Sequence, residues 1–236
     1  MKETISEALK HLNQNQKNGL FLNFVLSKVY DSIQINSETF QAKPIEILEA
    51  LIESGVDVNT RAVLQQTSLF FVKSKEIVEL LIQHGADVNA RNRFGNTLLF
   101  EVKSKEIAEV LIQAGADVKT KNNDGSTPLF FAKSKEIAEL LIQHGADVKT
   151  KNNDGNTPLH WNNNPEIIEL LIQHGADMSA RGHNGQTPAE YHRSYNLHPL
   201  TDFIEQKAIE FEQEKLNQVL PLPQSQKSSN HPPYRL

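Results

Sequence analysis

Cysteine is absent from the 236 residues, which excludes disulfide scaffolds, thiolate zinc sites, iron–sulfur clusters and cysteine nucleophiles. Tryptophan occurs once and methionine twice. A basic excess is missing as well. Lys and Arg number 24 against 29 Asp and Glu, giving a net charge of −5 and a pI of about 6.0, which disfavours general nucleic-acid binding. No long apolar run exists either: residues 19–26, interrupted by Asn23, fall far short of the roughly 20 residues a membrane span needs. The opening Met1-Lys2-Glu3-Thr4-Ile5-Ser6-Glu7 places acids where a secretory signal needs an apolar stretch. What is present is 38% hydrophobic and 22% charged, with a mean hydropathy of −0.47. That is polar for a globular chain but too apolar for a disordered one. A cytoplasmic protein without a transmembrane segment is expected.

The chain repeats. Gly55, Gly85, Gly115, Gly145 and Gly175 each open a phrase Gly-(Ala/Val)-Asp-(Val/Met), and Thr67, Thr97, Thr127, Thr157 and Thr187 follow at a constant offset. The period is 30 residues, with no insertion between Gly55 and Thr187. A fixed period of this size marks an array of one supersecondary unit, each copy burying its apolar face against the next.

Residues 121–150 show how one unit is built. Thr127-Pro128 has the form of a helix start, threonine at the N-cap and proline at the first helical position. A first helix of about two turns is expected over Leu129, Phe130, Phe131 and Ala132. Ser134 then caps a second helix, in which Ile137, Ala138, Leu140, Leu141 and Ile142 form a broad apolar face. Gly145 stands where a left-handed residue ends a helix. The following stretch is polar, with Asn-Asn-Asp-Gly as a hairpin-type turn. In the next copy Asn164-Pro165 replaces the Ser-Lys start with an equivalent signal.

Gly145-Ala-Asp-Val-Lys-Thr-Lys-Asn-Asn-Asp-Gly155-Asn-Thr-Pro-Leu-His160 resembles the ankyrin-repeat signature over about five units, residues 44–193. The resemblance implies an all-α solenoid of helix-turn-helix units with projecting hairpin loops. Two features depart from the family. The period is shorter than the family's usual 33 residues, so the first helix or its turn must be shorter. The histidine of Thr-Pro-Leu-His survives only as His160, with Phe70, Phe100 and Phe130 in its place elsewhere. The family's side-chain bridge to the neighbouring loop is thereby lost in those copies.

A solenoid's ends need covers that are more polar outside. Residues 1–43 read as a helical N-terminal cap or divergent first repeat, with helices over 5–12 and 20–30 and a loop over 31–43. Residues 194–220 read as a C-terminal capping helix, with Leu200, Phe203, Ile204, Ala208 and Phe211 as its packing stripe. The Pro-rich residues 221–236 read as a disordered tail.

The search for chemistry finds no Gly-rich phosphate loop, no Ser-His-Asp order and no His-Glu-x-x-His. His84, His144 and His174 recur beside acids, but one repeat apart is too far for a single metal ion. The expectation is a non-catalytic module with no cofactor and no metal site. Its partner would be another protein, not nucleic acid, and the chain would act as a monomer. Lys73, Lys103 and Lys133, with Lys75, Lys105 and Lys135, form a ladder at the inter-helix turns, either a surface for an anionic partner or a solvated turn copied by duplication.

Two surfaces carry the binding expectation. The first is the column Phe71, Glu101, Phe131, Trp161 and Tyr191. A fully buried Glu101 would be an unpaired charge in the core, so the column must be partly accessible. Its aromatics would either anchor a partner in a concave groove or stack between repeats. The second surface is the loop tips: Arg93, Phe94 and Asn96; Asn123, Asp124 and Ser126; Asn153, Asp154 and Asn156. In the family these positions resemble the variable recognition residues. An alternative reading is a translocated effector of an intracellular bacterium, secreted into a host cell without a signal peptide. It draws on the near-identical repeats, the heavy use of Lys, Asn and Ile, and Glu205, Glu210, Glu212 and Glu214 ahead of the tail.

Overall fold

This computed structural model describes residues 6, 7, 9–26 and 44–219. In chain order the α-helices are α1 (Gln14–Leu26), α2 (Pro44–Glu53), α3 (Lys75–Gln83), α4 (Lys105–Gln113) and α5 (Lys135–Gln143). They continue with α6 (Pro158–Trp161), α7 (Pro165–Gln173), α8 (Pro188–Ser194) and α9 (His198–Val219). No strand occurs among the described residues. The long outer helices α3, α4, α5 and α7 stack one on the next, and the short inner segments form a second layer beside them.

The outer helices form as their residues dictate. The hydroxyls of Ser104 and Ser134 accept from the backbone N–H of Ile107 and Ile137 at 3.3 and 3.4 Å, and Asn164 Oδ1 accepts from Glu166 N–H at 2.9 Å. One face of α5 buries Ile137, Ala138, Leu140 and Leu141. Gly145 ends the unit at φ +92°, a conformation that costs any residue with a Cβ.

The inner segments are shorter than expected. Ser68–Phe71, Leu98–Phe100 and Pro128–Phe131 are single 3₁₀ turns, and α6 is one α-helical turn. The residues missing from the 33-residue family period come out of this layer, whose turn is too small to continue. Thr127 also caps differently. Its backbone is extended ahead of Pro128, but its hydroxyl makes no capping bond. Where histidine or glutamate stands three residues on, the start closes reciprocally. Thr157 N–H donates to His160 Nδ1 at 3.1 Å, and Thr187 N–H donates to Glu190 Oε2 at 2.8 Å. These are the two units whose inner segments are α-helical. Where Phe70 and Phe100 stand instead, the buried hydroxyls of Thr67 and Thr97 have no protein partner.

At the N-terminal end α1 packs on α2 and on the Ser68–Phe71 turn, in the position of an inner helix. It starts at Gln14 rather than residue 20. Asn18 Oδ1 accepts from Asp57 N–H at 3.1 Å and Gln14 Nε2 donates to the Gly55 carbonyl at 2.8 Å. Asn59 performs both tasks one repeat later, towards Asp87 and Gly85. At the other end α9 buries Leu200 and Ile204, with Phe203 partly buried. Phe211 departs from the expected stripe: it is 45% exposed, with the Lys215 ammonium 4.4 Å from its ring centre. The expected loop over 31–43 and tail over 221–236 lie outside the described residues.

Candidate functional site

The loop tips are organised by a buried asparagine. Asn122 Oδ1 accepts from the backbone N–H of Asp124 and Ser126 at 3.0 and 2.9 Å, and Asn92 and Asn152 do the same in their own units. The amides of Asn122 and Asn152 reach the preceding unit, Asn122 Nδ2 to Asn96 Oδ1 at 3.0 Å and Asn152 Nδ2 to Ser126 Oγ at 3.4 Å, whereas the Asn92 amide turns to Glu101 of its own unit. Three expected contact residues are therefore committed internally. Ser126 and Asn156 are buried, Asn96 is partly buried, and all three serve the joint between tips. Their polar atoms face the next repeat, where Asn96 and Ser126 meet the amides of Asn122 and Asn152, and Asn156 Oδ1 accepts from the His183 N–H at 2.9 Å. Arg93, Phe94, Asn123, Asp124, Asn153 and Asp154 are exposed.

Successive tips are also bonded through the backbone. Arg93 N–H donates to the Leu64 carbonyl at 2.8 Å, Asn123 N–H to Phe94 at 3.0 Å and Asn153 N–H to Asp124 at 2.9 Å. Beside them runs a column of cations. Arg61, Arg91, Lys121 and Lys151 each donate to the carbonyl of the residue 30 positions on. The tips thus form one continuous ridge, ordered by bonds between successive repeats.

On the inner layer the aromatic column is partly accessible. Phe71, Phe131 and Tyr191 are half-buried, while Glu101 and Trp161 are exposed, Trp161 at 45%. Phe131 meets Trp161 edge to face at 6.1 Å and Phe100 at 5.8 Å. Tyr191 does not join this row. It packs on His160 at 5.9 Å, His192 at 6.1 Å and Tyr195 at 4.9 Å, and burial with the adjacent Tyr195 pushes its phenol up to about 12. Glu101 remains open to water, yet the neighbouring protein removes enough solvent to raise its carboxyl. The Asn92 amide, at 3.2 Å, and the charge of Lys133 oppose that rise. Phe100 and Tyr195 were not among the expected residues. Phe100 sits at the histidine position and Tyr195 lies past the last repeat.

The lysine ladder is interleaved with acids. Lys75 and Lys105 pair with Glu79 and Glu109 at 3.6 and 3.4 Å. Glu106 and Glu136 sit low, first because Ser104 and Ser134 hydroxyls bond them, then because lysines of their own and the preceding repeat flank them. Alternation of sign weakens any net field for an anionic partner. Three of the four C-terminal glutamates have local partners: Glu205 with Arg193, Glu210 with Lys207 and Glu212 with Lys215. Among the described residues no helix is long and apolar enough to cross a membrane.

The family model for ankyrin repeats (3 copies) matches residues 39–122 and again residues 98–182. No curated protein matches the chain. The two family matches cover more than half of the sequence and coincide with the stacked units of the fold, so the chain belongs to the ankyrin-repeat family.

Proposed function

We propose that the array is a non-catalytic protein-binding module that takes a partner protein across its inner aromatic layer and loop ridge. One observation carries the reading: Trp161, the only tryptophan, stands exposed at the end of a row of stacked rings with Phe131 and Phe100. A large ring held rigid by its neighbours yet open to solvent offers apolar area at little entropic cost. Glu101, on the same layer, supplies a carboxylate that a partner's donor would discharge. The family as a class serves protein–protein interaction, and the ridge and rings are the surfaces this chain offers for it.

Trp161→Ala tests it. Truncating an anchoring tryptophan costs about 2 kcal/mol or more, roughly a thirtyfold loss of affinity. Partners retained by the immobilised full chain should be lost from the variant, while its thermal transition stays near that of the parent. Retention of every partner by a folded Trp161→Ala variant would remove the aromatic layer from recognition.

A further inference from the structure

The first loop tip breaks the pattern of the others in two ways at once. Where residues 123–125 and 153–155 read Asn-Asp-Gly, residues 63–65 read Val-Leu-Gln. Gly95, Gly125 and Gly155 take positive φ at the turn, which glycine does freely. At the first tip Leu64 and Gln65 both take φ 61°, a left-handed conformation unfavourable for side chains of this kind. That conformation leaves apolar surface on display: Val63 is 75% exposed and Leu64 37%. The next tip continues the surface. Arg93 N–H is bonded to the Leu64 carbonyl, Phe94 is 48% exposed, and the Arg93 guanidinium lies 4.9 Å from the Phe94 ring centre.

Charge changes along the same ridge. The first two tips carry Arg61, Arg91 and Arg93, all exposed; Lys121 and Lys151 continue the column of Arg61 and Arg91 at the later tips, so Arg93 is the cation that has no basic counterpart there. The third and fourth tips carry exposed Asp124 and Asp154 where Leu64 and Phe94 stood. Helical repeats stack about 10 Å apart, and an extended chain advances about 3.3 Å per residue. A segment lying along the ridge would therefore cross from the apolar tips to the acidic ones in about three to six residues.

We infer that the loop ridge is a polarised docking site for an extended segment of a partner protein, with bulky aliphatic side chains seated on Val63, Leu64 and Phe94 and a lysine or arginine at Asp124 and Asp154. This rests on the reading of the array as a protein-binding module. Arg93 fixes the direction, because it repels the basic end of the segment from the apolar tips, while Asn123 and Asn153 take its place beside the aspartates. The strained first tip is kept for the surface it displays.

A random peptide library displayed on phage, selected on the immobilised full chain, tests the site. Enriched peptides should pair an aliphatic residue with a basic one about three to six positions away. Their binding should weaken at least about tenfold on Val63→Asn/Leu64→Asp/Gln65→Gly, which installs the tip sequence of the third repeat. That variant should melt no lower than the parent, since glycine relieves the turn. Asp124→Lys/Asp154→Lys should abolish the preference for a basic residue. Peptides that survive the tip variant but are lost on Trp161→Ala would overturn the ridge site and leave the aromatic layer standing. Enriched peptides without the aliphatic–basic pattern would also overturn it. Failure of the full chain to enrich any peptide would overturn both readings.

Discussion

His160 and Gly182 share one volume across the boundary between two repeats. A Cβ placed on Gly182 would meet Asn156 Oδ1 first and would stand 2.8 Å from His160 Nε2, and that nitrogen donates to the Gln186 carbonyl at 3.2 Å. In the preceding junctions the corresponding pairs are Phe70 with Asn92, Phe100 with Asn122 and Phe130 with Asn152. Histidine with glycine and phenylalanine with asparagine are thus two solutions of one packing problem. Gly182→Ala should destabilise by about 1–3 kcal/mol, the range for overfilling a packed site. The double change His160→Phe/Gly182→Asn should recover most of that loss, and a double-mutant cycle on thermal or urea melting reads the coupling.

Adjacent asparagines at one tip should behave oppositely. Asn122 is buried and its Oδ1 serves two backbone N–H groups. Asn123 is exposed and donates one bond to the Arg93 carbonyl at 3.1 Å. Removing a buried acceptor leaves its donors unsatisfied, at about 1–3 kcal/mol. Asn122→Ala should therefore cost about 2 kcal/mol in chemical denaturation, and Asn123→Ala under about 1 kcal/mol. Equal losses would show that the tip is not held by Asn122.

Leu141 is fully buried on α5, which stacks between α4 and α7. Leu141→Ala should cost about 2–5 kcal/mol, the lost transfer energy plus the cavity it leaves. A loss under about 1 kcal/mol by urea denaturation would contradict this helix register.

Two buried histidines make the C-terminal units sensitive to acid. Burial holds both His160 and His192 below the ordinary histidine value. The Gln186 and Leu159 carbonyls oppose this, while Lys151 and His192 itself add to the lowering at His160. His192 Nδ1 has no protein partner. Below about pH 6.5 the unfolded chain binds protons that the folded chain refuses, so stability falls as pH drops from there. The lowered glutamates Glu76, Glu106 and Glu136 act in a separate window, their contribution being lost only as pH falls below about 4.5. The melting temperature should decline between about pH 6.5 and 5, and His160→Phe/Gly182→Asn should reduce that decline. An unchanged slope would assign it to other groups.

The repeat, the outer helices and their caps are legible directly in the residues, because they depend on neighbours within one turn: Ser134 caps the helix after it, and Gly145 ends the helix before it. The accessibility of the inner column is legible through Glu101 alone, since a charge cannot be buried without a partner. Three things depend on the third dimension. The short period already implies a shortened first helix or turn, but that the inner segment closes as a single 3₁₀ turn in three units depends on how the repeats stack. Ser126 and Asn156, polar and placed in a loop, are drawn inside by the joint with the next unit, where the Asn152 amide reaches back 26 residues to Ser126 and the His183 N–H donates to Asn156 Oδ1. The apolar first tip does not stand out in sequence, because Val-Leu-Gln is ordinary until its left-handed backbone and exposed side chains are seen together. Local spacing determines which elements form, while the choice of which polar atoms face water is made between repeats.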